Sequence, residues 1–220
     1  MNEMKEIFNI LREYVGNEHD LKVFNHIVKV TEFSKKRAED NNLSRDLVKL
    51  ITLAASVHDV AKFHSVIDSI FKERPKGIFH GLVGSYFLMN YNNALTGMLE
   101  NKESLSRIIA CHIPFFIKKE EMLDYMVKPL PYFDIENPEE YEIGGIMMMA
   151  RPLFDEEKIA TQVLIATDNC IAEDEYVGIE KRLGYIFGKY GDKVYTDAGK
   201  RVYASRVKSL IEKYPMKDEK

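Results

Sequence analysis

The 220-residue chain has no tryptophan, two cysteines and seven prolines. Two cysteines cannot make a disulfide scaffold, so Cys111 and Cys170 read as small core residues of a reduced, cytoplasmic protein. Long apolar runs are also missing. The longest, 145–150 and 163–166, fall far short of the ~20 residues that a membrane-spanning helix needs. The first twelve residues mix Glu, Lys and Arg with single apolar residues, which suits neither a signal peptide nor an anchor. There is no excess of positive charge: 31 Lys and Arg stand against 35 Asp and Glu, a formal net charge of −4. A dedicated nucleic-acid binder is therefore not expected, although one locally basic site for a nucleotide is compatible with that balance. Internal repeats and low-complexity segments are absent as well. What the chain has is 45% hydrophobic and 30% charged residues, enough apolar surface for a core, which excludes disorder as the main state.

Apolar residues recur at helical spacing nearly throughout. Helices are expected over 3–15, with Gly16 and Asn17 as a stop, and over 21–39, with Asn41 and Asn42 as a break. Ser44 suits the N-cap of a third helix running to the His58–Asp59 region. Shorter helices are expected at 65–72, 80–90 and 104–112, with Pro114 as a stop. The segment 118–127 has helical composition, and 128–138, with three prolines, reads as an irregular surface loop. Asp155 is placed to cap a long helix from 156 to about 173, and two more helices are expected near 178–189 and 196–213. Strand signals are few, and 194–195 is too short to count. The expected fold is an all-α, single-domain helical bundle of about eight to ten helices covering 1–220.

Six histidines are available for chemistry. The dipeptide His-Asp occurs twice, against a chance expectation of about 0.35, so the bare pair is a weak signal. His19–Asp20 lies just after Gly16–Asn17 and reads as an exposed linker pair near a helix start. His64 reads as a surface or rim residue. His58–Asp59 differs because it closes the apolar run Leu53-Ala54-Ala55-Ser56-Val57. A carboxylate and an imidazole at the end of a buried helix are costly unless paired or bound to a metal. His26 faces the core side of the preceding helix, with Val30 and Phe33 on the same side. A lone core-facing histidine is more often a hydrogen-bonded core residue than a ligand, and the His-Asp pair on the next helix reverses that reading. Asp168 ends another apolar run, Val163-Leu164-Ile165-Ala166-Thr167. Two imidazoles and two carboxylates suit Fe, Mn, Ni, Co or Zn, with Mg also admissible.

His80 opens His80-Gly81-Leu82-Val83-Gly84-Ser85-Tyr86, whose small residues suit close packing or close approach of a ligand. His112 ends Ile108-Ile109-Ala110-Cys111. These two imidazoles have two readings: ligands of a second ion with Asp59 bridging, or contacts to a phosphate with no ion of their own. Lys62, one helical turn from Asp59, is placed to hold the carboxylate or to neutralise a phosphate.

In order, His26, His58–Asp59, His80, His112 and Asp168 resemble the ligand series of the HD-domain superfamily of metal-dependent phosphohydrolases. The resemblance spans about 21–172. It implies an all-α fold with one metal held by His26, His58, Asp59 and Asp168, and in two-metal members a second held through His80 and His112. The segments His58-Asp59-Val60-Ala61-Lys62 and His80-Gly81-Leu82-Val83-Gly84 look most like the bacterial branch that cleaves symmetrical dinucleoside tetraphosphates. The chain departs from that branch after His112, where Ile113-Pro114-Phe115-Phe116 follows and Asp168 arrives late, so that 118–151 looks like an insertion.

The implied function is hydrolysis of a phosphoester or phosphoanhydride bond in a nucleotide or dinucleotide by attack of a metal-bound water. Asp59, Lys62 and His58 would be the catalytic residues, one or two divalent or ferric transition ions the cofactors, and a small phosphorylated molecule the partner. A homodimer is compatible with the sequence, and a membrane partner is not expected. The competing readings are a catalytically weak metal- or nucleotide-binding sensor and a purely structural bundle with a buried polar network.

Overall fold

The computed structural model describes residues 2–70, 80–112, 153–194 and 197–217. The helix and loop expected over 118–138, the apparent insertion and the run Met147-Met148-Met149 lie outside them. The described residues form an all-α fold of ten α-helices with one very short pair of strands.

The first three helices are set by local signals. α1 (Asn2–Glu13) buries Ile7 and Leu11, one turn apart. α2 (Glu18–Asp40) begins earlier than its hydrophobic pattern suggests, because Asn17 caps it by accepting from Asp20 N at 3.0 Å. His19–Asp20 therefore belongs to the first turn of α2 and not to a linker, and Asp20 is buried where an exposed pair was expected. α2 ends where Asn42 adopts a left-handed conformation, φ 53°. Ser44 caps α3 (Arg45–Val57) by accepting from Leu47 N at 3.3 Å. From Ile51 to Val57 every residue of α3 is buried, which makes it the central helix.

A single 3₁₀ turn, Val60–Lys62, leads into α4 (His64–Ile70). α5 (His80–Asn90) packs against α7 (Lys102–Ala110), with the five-residue α6 (Ala94–Met98) between them in sequence. The α5–α7 seam is tied by Ser85 and Ser106, whose hydroxyls lie 2.6 Å apart. α8 (Asp155–Asp168) packs on α2, α3 and α7. It stops at Asp168, five residues short of its expected end, because β1 (Ile171–Ala172) and β2 (Glu175–Tyr176) form a small antiparallel turn there. Phe154, not Asp155, is its N-cap, and Glu157 reaches back to accept from Phe154 N at 3.1 Å.

α9 (Gly178–Val194) and α10 (Asp197–Lys213) complete the chain. They share a second apolar cluster of Ile165, Leu183, Ile186, Tyr203 and Val207, which braces the end of α8. No described helix is long and apolar enough to cross a membrane.

One buried ion pair joins α7 to α8. Arg107 donates to both oxygens of Glu157 through Nε, at 2.9 and 3.1 Å, and through Nη2 at 2.5 Å. Burial pushes the Glu157 carboxyl up, but the hydrogen bonds from Arg107, Ser104 and Phe154 N outweigh it and leave the group below its ordinary value. Removing one partner of such a pair strands the other. Glu157→Ala is expected to lose about 3–5 kcal/mol at pH 7 in urea unfolding. A carboxyl lowered in the folded state contributes above its unfolded value and loses that contribution as pH falls, so the gap between wild type and variant narrows by pH 3.

Candidate metal centre

The ends of α3 and α7 supply ligands by the same device. The last carbonyls of a helix have no intrahelical donor. His58, the C-cap of α3, folds back so that its Nδ1 donates to Ala55 O at 2.8 Å. His112, two residues past the end of α7, donates from Nδ1 to Ile109 O. Each bond puts the ring proton on Nδ1 and leaves Nε2 with a lone pair. His26 on α2 is anchored at both nitrogens: Nδ1 donates to Glu173 O at 3.0 Å, and Nε2 lies 2.9 Å from Asp168 Oδ1. Glu173 sits in the turn between β1 and β2 with φ 54°, a left-handed conformation that aims its carbonyl at α2.

Gly81 controls the approach of α5 to α7. A Cβ there would lie 2.5 Å from Ile109 O and 3.0 Å from the His112 ring. Without it, His80 at the start of α5 brings Nε2 to 2.9 Å from His112 Nε2.

Asp59 leaves the helical path after His58 and stands at the centre, its side chain 1% exposed. Its two oxygens face different partners. Oδ2 lies 3.4 Å from His58 Nε2 and 3.5 Å from His26 Nε2. Oδ1 lies 3.0 Å from His80 Nε2 and 4.0 Å from His112 Nε2. Asp168 Oδ1 completes the first group, 2.9 Å from His26 Nε2 and 3.8 Å from His58 Nε2. Lys62 Nζ, on the 3₁₀ turn, closes on Asp59 Oδ2 at 2.6 Å. All six residues that the sequence proposed as ligands, together with Lys62, are thus brought together.

The field of this cluster holds both carboxylates ionised. Burial raises Asp59, but His58, Lys62 and His80 outweigh it and hold the carboxyl well below its ordinary value. Asp168 is likewise raised by burial and lowered further by the hydrogen bond and charge of His26. His112 is pushed down to about 3, by burial first and then by His80 and His58, so it is neutral at physiological pH. Burial would lower His58 too, but the neighbouring Asp59 charge raises it overall.

The donor set fits a metal. His58 Nε2 and Asp59 Oδ1 are buried and make no hydrogen bond. Buried polar atoms left so cost about 1–3 kcal/mol each, and coordination to metal would satisfy both. Three groups here each bring ligand atoms within 4.8 Å of one another: His26-His58-Asp59, His58-His112-Asp168 and Asp59-His80-His112.

Two contributors carry no sequence signal. Glu173 acts through its backbone carbonyl, so its identity is silent. Arg182 on α9 adds positive charge near Asp168. Its Nε is buried without a hydrogen-bond partner, and its guanidinium lies 5.6 Å from the Tyr185 ring centroid. Cys170 is buried and Cys111 half-buried, in line with a packing role; burial first, then the nearby Glu157 charge, pushes the Cys111 thiol up to about 11.

Gly81→Ala is expected to push α5 away from α7 and separate His80 from His112. Elemental analysis would then show one ion fewer per chain than wild type, with the circular dichroism of the helices retained. Full metal content in the variant would contradict the close-approach role of Gly81.

Residues 23–161 match the family model described as HD domain. That match contains His26, His58, Asp59, His80 and His112, and ends just before Asp168. No curated protein and no solved structure matches the chain.

Proposed function

The chain belongs to the HD-domain family of metal-dependent phosphohydrolases, and on that premise we propose that it hydrolyses a phosphoester or phosphoanhydride bond in a nucleotide or dinucleotide. His26, His58, Asp59 and Asp168 would hold one ion, and His80, His112 and the second oxygen of Asp59 another. The observation that carries this reading is the division of Asp59, with Oδ2 facing His26 and His58 and Oδ1 facing His80 and His112. A bound ion would supply Lewis-acid stabilisation and lower the pKa of water at neutral pH.

The residues of the chain do the rest. Nδ1 bonds to backbone carbonyls hold His26, His58 and His112 with Nε2 turned to the centre. Asp59 and Asp168 supply negative charge to offset two cations. Lys62, with 28% of its side chain exposed, stands between the buried Asp59 and solvent. From there it can hold Asp59 in place and meet the charge that develops on phosphoryl oxygens. Arg182, with an unpartnered Nε near Asp168, is a second cation on that side.

The substrate is proposed from the segments His58–Lys62 and His80–Gly84, which favour a dinucleoside polyphosphate as the first compound to test. The purified, metal-loaded protein is expected to release nucleotide from such a substrate. Lys62→Ala is expected to lower kcat by about 10²-fold with metal content unchanged. If metal and turnover fell together, Lys62 would be a support for Asp59 and not a phosphate contact. Full metal content with no turnover on mono- or dinucleotide substrates would favour a binding or sensing role.

A further inference from the structure

A second His/Asp group lies outside the central site, and the sequence gives no reason to expect it. Asp20, in the first turn of α2, has a carboxylate only 2% exposed. Oδ2 accepts from Gly16 N at 3.2 Å and from Asn17 Nδ2 at 2.8 Å. Oδ1 accepts from His64 N at 3.0 Å and lies 2.6 Å from His64 Nδ1. The carboxylate therefore joins the α1–α2 junction to the start of α4, 44 residues away. His19, on the same turn as Asp20, is exposed and packs its ring edge-on against His64, with centroids 4.8 Å apart.

We propose that His19, Asp20 and His64 form a surface-accessible site for a borderline-soft divalent transition ion such as Zn²⁺. One ligand atom from each of the three residues lies within 4.8 Å of the others, close enough for a single ion. His64 Nδ1 lies 2.6 Å from Asp20 Oδ1 and 3.1 Å from Asn17 Nδ2, so an ion held by His64 and Asp20 would take the place of the proton between Nδ1 and Oδ1. The second imidazole comes from a neighbouring segment already in contact with it, so binding needs little reordering. Two imidazoles select zinc, nickel or copper over magnesium or calcium, which prefer all-oxygen sites. The site shares no residue with the central cluster. It does stand two residues from Lys62, so occupancy would brace the turn that carries the lysine.

The test is Zn²⁺ stoichiometry by equilibrium dialysis and elemental analysis. Wild type is expected to take up one ion more per chain than His19→Ala. His19 is exposed and makes no hydrogen bond that holds the fold, so the variant is expected to keep its metal-free melting temperature. Asp59→Ala is expected to lose ions from the centre and keep the peripheral one, which separates failure of this proposal from failure of the central reading. The double variant His19→Ala/His64→Gln should weaken the peripheral ion at least tenfold in any background. Equal Zn²⁺ uptake by wild type, His19→Ala and the double variant would overturn the proposal.

Discussion

The buried carboxylate of Asp59 is the constraint around which the described helices are arranged. A charge in an apolar interior is untenable unless opposite charge or hydrogen bonds meet it. Asp59 answers this from several elements at once: His58 beside it, Lys62 one turn on, His26 from α2, His80 from α5 and His112 from α7. Each of those elements has an apolar face that buries against α3 or its neighbours, so packing and charge compensation select the same arrangement. Gly81 shows how narrow the tolerance is, since one methyl group there would meet both a carbonyl and an imidazole of α7.

Helix ends do most of the positioning. α3, α7 and α8 each run through apolar residues and stop at a polar one. The unsatisfied carbonyls in the last turns of α3 and α7 give His58 and His112 a partner for Nδ1. A helix C-terminus thus turns a local backbone need into a fixed tautomer at the metal-facing nitrogen. α2 lacks such an end near His26, and the β1–β2 turn provides the carbonyl instead, from a left-handed Glu173. The β1–β2 turn that follows α8 at Asp168 is what places this carbonyl at His26.

Much of this was legible in the sequence because an apolar run that ends in His or Asp is costly without a function. His58, Asp59, His112 and Asp168 all announce themselves in this way, and His26 follows from helical phase. Other features have no such signature. A backbone carbonyl leaves no trace in residue identity, so Glu173 is invisible. α6 and the two-residue strands are too short to show a period. Asp20 was misread because a linker and the first turn of a helix look alike before the cap is known. Its burial depends on His64, which only the tertiary fold brings near. Arg182 acts at a distance through charge, on a helix whose pattern reports only its apolar face.

In the proposed function, Asp59 joins two ions in one cluster. X-ray absorption spectroscopy on the fully metal-loaded protein tests this directly. Metal–metal scattering is expected at about 3.5–4 Å, with imidazole scattering from both ions, and is expected to be lost in Asp59→Ala. A loaded wild-type protein whose ions show imidazole ligands but no neighbouring metal at that distance would contradict it.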